Sequence, residues 1–201
     1  MVSLGAVGTF VNGWLLPRLA QFEAAHPGIE LRLSTHNNRI DLAGEGLDLA
    51  IRFGDGDWQG QACTPVLETP FAPLGAPALT RRLRSPHDLA RVPLLRSYRS
   101  DEWPRWLQAA GVPEVEARGP VFDSSLTLAA AAAGGSGVAL LPLRMFEQEL
   151  AEGRLVELLA DWKADETAIH AVYPSRQLAG KTRVFLDFLT ETMAQGHDSP
   201  T

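Results

Sequence analysis

The stretch from Leu31 to Phe53, LRLSTHNNRIDLAGEGLDLAIRF, limits the possible folds more than any other segment. Leu31 and Leu33 alternate with Arg32 and Ser34, the period of a strand with one buried face. Thr35, His36, Asn37 and Asn38 then crowd together. Ile40, Leu42 and Ala43 behind them predict a short helix, which Gly46 ends in the left-handed conformation. Leu49, Ile51 and Phe53 alternate as a second strand. A strand–helix–strand unit with its uncharged polar groups at the first strand end belongs to an open α/β sheet, where that end faces a ligand crevice. The segment points to binding of a small polar molecule rather than to chemistry.

The rest of the chain continues the alternation. Val2, Leu4 and Ala6 read as a strand that turns at Gly8-Thr9. Trp14, Leu15, Leu19 and Phe22 follow at helical spacing. Pro17 costs a helix bond outside a first turn, so the helix either begins near Leu15 or is kinked. Thr64 to Leu79 carries four prolines among short apolar runs, as in an edge strand followed by a crossover. A lobe boundary is expected there, near Pro70. Further strands are expected at 93–97, 121–122, 137–141, 155–159 and 168–173. Helices are expected at 102–110, 124–133 and 145–150, with a last amphipathic helix marked by Val184, Phe185, Phe188 and Leu189. His197 to Thr201 reads as a disordered end. Alternating strands and helices predict mostly parallel sheets covered on both faces.

Composition narrows the function. The 201 residues are 45% apolar and 21% charged, with a net charge of −6. That balance lacks the basic footprint of a surface that grips phosphates, so these residues are not expected to hold DNA. The single cysteine, Cys63, excludes an internal disulfide and fits a reducing compartment. It precedes an apolar run, where burial is the expected role. The longest largely apolar run, Leu126 to Ala133, falls far short of the roughly 20 residues that span a bilayer. No leader is visible at the start, so a cytoplasmic location is expected.

Two turns stand out as binding devices. Gly8-Thr9 lets a ligand approach the backbone and offers a hydroxyl beside free helix N–H groups. Phe122-Asp123-Ser124-Ser125 repeats the device in the second half, although either turn alone is more simply a helix cap. Thr9, Thr35, His36, Ser97, Ser124 and Ser125 are the expected hydrogen-bonding groups, with Tyr98 and Phe122 as walls. Asp41, one turn into a helix, most simply complements its dipole. No Cys, Asp or Glu lies at ligand spacing from His36, so no metal is expected. Gly134-Gly135-Ser136-Gly137 follows a helix and precedes a strand, the wrong order for a phosphate loop, and reads as a helix stop. Trp103 and Trp106 read as one packed helix face. No nucleophile, base and orienter assemble, so neither catalysis nor a cofactor is expected.

The order of the segments VGTF, WLLPRLAQFEAAHPGIELRLSTHNNRIDLAGEGLDLAIRFGDGDW, LLRSYRSDEWPRWLQAAG, VFDSSLTL and GVALLP resembles the effector-binding domain of LysR-type transcriptional regulators. The likeness runs from Val7 to the last helix. STHNNR-D and LLRSYR-DEW are similar to the subgroup of glycine-cleavage and AmpR-type β-lactamase regulators. The resemblance implies two Rossmann-like lobes with a central cleft, as in type 2 periplasmic binding proteins. Lobe I is 1–70 plus 174–201, and lobe II is 71–173. It also implies a small-molecule effector between the lobes, a homodimer, and DNA contact only through an N-terminal winged helix–turn–helix outside this sequence. In the AmpR subgroup the effectors are muropeptides, and the residues that matter match Gly8, Thr9, Asp41 and Ser125. A family tyrosine on the returning strand has no counterpart, since Ala168 or Ile169 stands there. That departure bears on the effector (muropeptide or small polar acid) and not on the fold. The alternatives are a solute-binding protein of a transport system and an enzyme on the same fold. The enzyme would need a titratable pair from His36 with Asp41 or Asp123.

Overall fold

The structure is a computed structural model that describes residues 1–36, 41–58, 60–161, 166–175, 178 and 180–195. The expectations for Asn37, Asn38, Ile40 and the 197–201 end fall outside the described residues. The chain divides into two compact units, Met1–Thr69 with Thr167–Thr201, and Pro70–Glu166. The strand β9 (Glu166–Pro174), expected in the second lobe, pairs antiparallel with β3 (Leu49–Phe53), Ala50 facing Val172 and Phe53 facing Ile169. It is therefore grouped almost whole with the first unit.

In the first unit the strand order is β2 (Leu31–His36), β1 (Val2–Val7), β3, β9, β4 (Gln61–Gly75). β1 is parallel to both β2 and β3, and all six of its residues are buried. A parallel strand covered on both faces is what its unbroken small and aliphatic sequence allows. The following helix resolves the dilemma posed by Pro17. It starts as α1 (Gly8–Phe10), widens through a π segment (Val11–Leu15) and resumes as α2 (Leu16–Ala25), with Pro17 in its first turn. The proline has no N–H and crowds the carbonyl four residues back, and a π segment just upstream absorbs that conflict. Phe22 on α2 packs edge-on against Phe185 of α7 (Gly180–Gln195), ring centres 5.1 Å apart. Phe188 lies 5.0 Å from the same ring.

The expected helix behind the polar cluster is reduced, among the described residues, to one turn. Gly46 at φ +63° does close it, with the Leu47 N–H reaching the Leu42 carbonyl and the Gly46 N–H that of Ala43. This is the hydrogen-bond pair of a left-handed helix stop.

The second unit comprises α3 (Pro77–Thr80), β5 (Leu94–Ser97), α4 (Glu102–Ala109), β6 (Val121–Phe122), α5 (Ser125–Ala133), β7 (Val138–Pro142), α6 (Glu147–Ala151) and β8 (Val156–Glu157). Its strand order is β4, β7, β5, β6, and β8 pairs with the end of β4. The proline-rich stretch is thus no edge strand here. β4 is one 15-residue strand with β7 antiparallel beside it, Pro73 opposite Leu140. Proline removes only a donor, and the Pro73 carbonyl still accepts from the Leu158 N–H. The strand expected at 155–159 shortens to Val156–Glu157, because Leu159 takes φ +56°. Trp103 and Trp106 do form a packed face of α4. Their rings meet edge to face, and the Trp103 indole N–H donates to the Leu95 carbonyl at 2.8 Å.

Candidate functional site

In the first unit the chain leaves β1, forms β2 on one side of it and β3 on the other. The strand order therefore reverses at β1, whose carboxyl end is the position where open parallel sheets bind ligands. Gly8 and Thr9 begin the helix there. The Asn12 side chain donates to the Gly8 carbonyl at 2.9 Å, which ties down the first turn. Thr9 is 5% exposed. The parallel register sets Thr35 beside Ala6 and His36 beside Val7. Thr35 is exposed and His36 half-buried, on opposite faces of β2. Gly8, Thr9, Thr35 and His36 thus converge on one strand end.

Asp41 is exposed and caps the turn that follows. Its Oδ1 accepts from the N–H groups of Ala43 (3.1 Å) and Gly44 (3.0 Å). The Glu45 carboxylate, which the sequence reading missed, lies with Oε2 3.0 Å from His36 Nε2. It is nine positions away across a turn, beyond the reach of spacing rules.

The second unit repeats the arrangement. β5 is parallel to β6 on one side and to β7 on the other, so the order reverses at β5. Ser97 ends β5, in register with Phe122 at the end of β6. Ser124 is the N-cap of α5, and Ser125 is its first residue. Both are half-buried, and the Ser124 hydroxyl makes no capping bond, which leaves the α5 amino end to its own amides. Ser97, Phe122, Ser124 and Ser125 therefore lie at the neighbouring ends of β5 and β6 and the start of α5. Tyr98 is 45% exposed, with the Arg99 guanidinium 5.7 Å from its ring centre.

Ser97 is less available than expected. Its hydroxyl donates to Glu102 Oε2 at 2.5 Å and accepts from the Arg99 N–H at 3.0 Å. Arg99 closes the set, its Nη1 3.2 Å from Glu102 Oε1. Burial pushes the Glu102 carboxyl up from its ordinary value, opposed by the Ser97 hydroxyl and by Arg99. The Ser97–Arg99–Glu102 spacing was visible in LLRSYRSDEW, but a glutamate in a first helical turn reads as a dipole partner.

On the returning strand Ala168 is half-buried and Ile169 buried. The next residue, His170, stands opposite Arg52, and burial pushes its imidazole pKa down while Asp55 pulls the other way. Cys63 is half-buried and its thiol donates to the Gly56 carbonyl. No group of three or more His, Cys, Asp or Glu among the described residues is arranged to hold a metal ion. No helix among them is long and apolar enough to cross a membrane.

Comparison with known proteins places the fold in a family. The family model of the LysR substrate binding domain matches residues 1–194. The HTH-type transcriptional activator AmpR of Rhodobacter capsulatus is 49% identical over 193 residues, 90% of this chain and 67% of that protein. The protein of the same name from Pseudomonas aeruginosa is 55% identical over 153 residues, 75% of this chain and 52% of that protein. The chain thus spans about half to two thirds of these relatives' length. The crystal structure of the effector domain of AmpR from Pseudomonas aeruginosa superposes with a TM-score of 0.91 at 46% identity, covering 97% of this chain and 96% of that one. The AmpR effector binding domain from Citrobacter freundii gives 0.91 at 38% identity, covering 96% and 98%. The mixed α/β fold is therefore that of these effector domains, which are of the type 2 periplasmic-binding-protein kind. The chain belongs to the LysR substrate binding domain family.

Proposed function

We propose that this chain is the effector-sensing domain of an AmpR-like, LysR-type transcriptional regulator. The observation that carries the reading is the repeated strand-order reversal, with a glycine and hydroxyl turn at one reversal and a helix opened by two serines at the other. Both are built to receive a polar ligand through backbone N–H groups and hydroxyls. Gly8, Thr9, Thr35 and His36 are the candidate ligand groups of the first unit. Ser97, Tyr98, Phe122, Ser124 and Ser125 are those of the second. Asp41 transmits occupancy rather than touching the ligand.

The relatives are named as transcriptional activators, which favours regulation over transport or catalysis. The effector class is a muropeptide or another small polar acid. The acidic charge of −6 supports a reading in which these residues do not grip DNA themselves, and the regulator works as a cytoplasmic homodimer. Effector binding then shifts the regulator between two states by its differential affinity for them.

Thermal-shift screening against muropeptides, amino acids and small acids tests the reading. A stabilising hit from the muropeptide set is the expected result. Stabilisation by none of the three classes would sink it.

A further inference from the structure

We infer that Glu45 is a positioning residue that ties the His36 imidazole to the Asp41 turn and selects which ring nitrogen meets the ligand. The inference rests on the reading of the β1 and β2 strand ends as ligand-binding. The two oxygens of one carboxylate are divided between the two partners. Glu45 Oε1 accepts from the Asp41 N–H at 3.3 Å, and Oε2 lies 3.0 Å from His36 Nε2. That nitrogen is closed off from solvent and sits off the line of an aligned hydrogen bond, so the carboxylate faces it as a charge.

The turn that Glu45 joins is closed by contacts of its own. Asp41 Oδ1 already holds the Ala43 and Gly44 N–H groups, and a Cβ at Gly44 would strike the Asp41 carboxylate. Gly46 at φ +63° completes the closure. Glu45 thereby couples His36 to the Asp41 N–H and the turn that it opens. Stability is not the main consequence. The His36 and Glu45 side chains are 25% and 36% exposed, and electrostatic contacts that wet contribute little.

A negative charge 3.0 Å from Nε2 repels a ring lone pair there, so the neutral imidazole carries its proton on Nε2. Nδ1 is then the nitrogen that meets a ligand, as an acceptor. The ligand group that fits it is a donor, a hydroxyl or an amide N–H. The sensor thereby gains a preference for a donor at this point.

The test uses the 201-residue domain with Glu45→Ala, Glu45→Gln, His36→Ala and the Glu45→Ala/His36→Ala pair. Imidazole nitrogen shifts report the tautomer, and amide shifts report Asp41, Ala43 and Gly44, all without ligand. Nε2–H is expected in the native domain and a mixed tautomer in Glu45→Ala. His36→Ala is expected to move the three turn amides while the melting temperature holds. Unmoved turn amides in His36→Ala, or an unchanged tautomer in Glu45→Ala, overturn the inference. Calorimetry with an N-acetylmuramyl pentapeptide forms the second arm. Glu45→Ala and His36→Ala are each expected to weaken binding roughly fivefold or more, the pair no further, with Glu45→Gln between. Native binding retained in Glu45→Ala also overturns it. A native domain that ignores this probe counts against the muropeptide reading, and the nitrogen and amide shifts still decide the Glu45 link.

Discussion

Glu102 shows how much a single residue of the site can hide. Its carboxylate is mostly buried, and burial raises its proton affinity, with Ser97 and Arg99 recovering part of the cost of the charge. The sign follows from linkage. The folded state holds this proton at pH values where the unfolded chain has already released it, so this group's contribution falls as pH rises. The window opens at the ordinary glutamate value of 4.5 and closes at the raised folded value; above it the penalty is constant. Glu102→Gln removes the window. Urea midpoints measured from pH 4 to 8 should show the variant-minus-native difference growing more favourable through that window and then levelling. A difference that stays flat from end to end would show that burial does not govern this carboxyl. The hydroxyls and amides of the site were legible one by one, because small polar residues at strand ends and helix starts carry a local signature. The carboxylates that hold them were not, since a buried glutamate and a solvated one have the same sequence context.

Helices were the most legible elements, and their stops most of all. Gly111 ends α4 at φ +77°, with the Val112 N–H on the Leu107 carbonyl and the Gly111 N–H on that of Gln108. Gly135 at φ +81° ends α5 in the same way, through Ser136 to Ala131 and Gly135 to Ala132. Both are local motifs, readable because every partner lies within six residues. β4 was misread because proline was taken as a statement about both edges of a strand when it silences only one donor. Gly137, first read as part of a helix stop, has a second duty across the sheet. A Cβ there would strike the Pro93 carbonyl and crowd the Leu95 side chain, where that same carbonyl accepts the Val138 N–H at 2.9 Å. Gly137→Ala should therefore lower stability by about 1–3 kcal/mol, the usual cost of forcing an extra carbon into a packed site. A urea midpoint within error of the native value would mean the β5–β7 contact yields more easily than its geometry implies.

At the scale of the molecule, the alternation of strands and helices was legible and the pairing was not. Nothing local to ETAIHAVYP says that it lies antiparallel to LAIRF more than a hundred residues earlier, or that β7 sits between β4 and β5. The parallel pairings of β1 with β2 and β3, and of β5 with β6 and β7, create the two strand-order reversals, at residues that alone read as helix caps. The site as a whole is accordingly tested best by a whole-molecule quantity. A ligand at about 100 times its dissociation constant stabilises the folded state by roughly 2.7 kcal/mol. For a chain of this size each kcal/mol raises the melting temperature by about 2–4 °C, so a true effector should add roughly 5–11 °C. The double variant Thr9→Val, Ser125→Ala removes one hydroxyl from each unit. Thr9 is nearly closed off from solvent and valine keeps its shape, so the exchange should leave the ligand-free melting temperature almost unchanged. The ligand-induced rise should instead collapse to a small fraction of the native one. A double variant that keeps the full rise would move the effector away from both strand ends and leave them as the helix caps they first resemble.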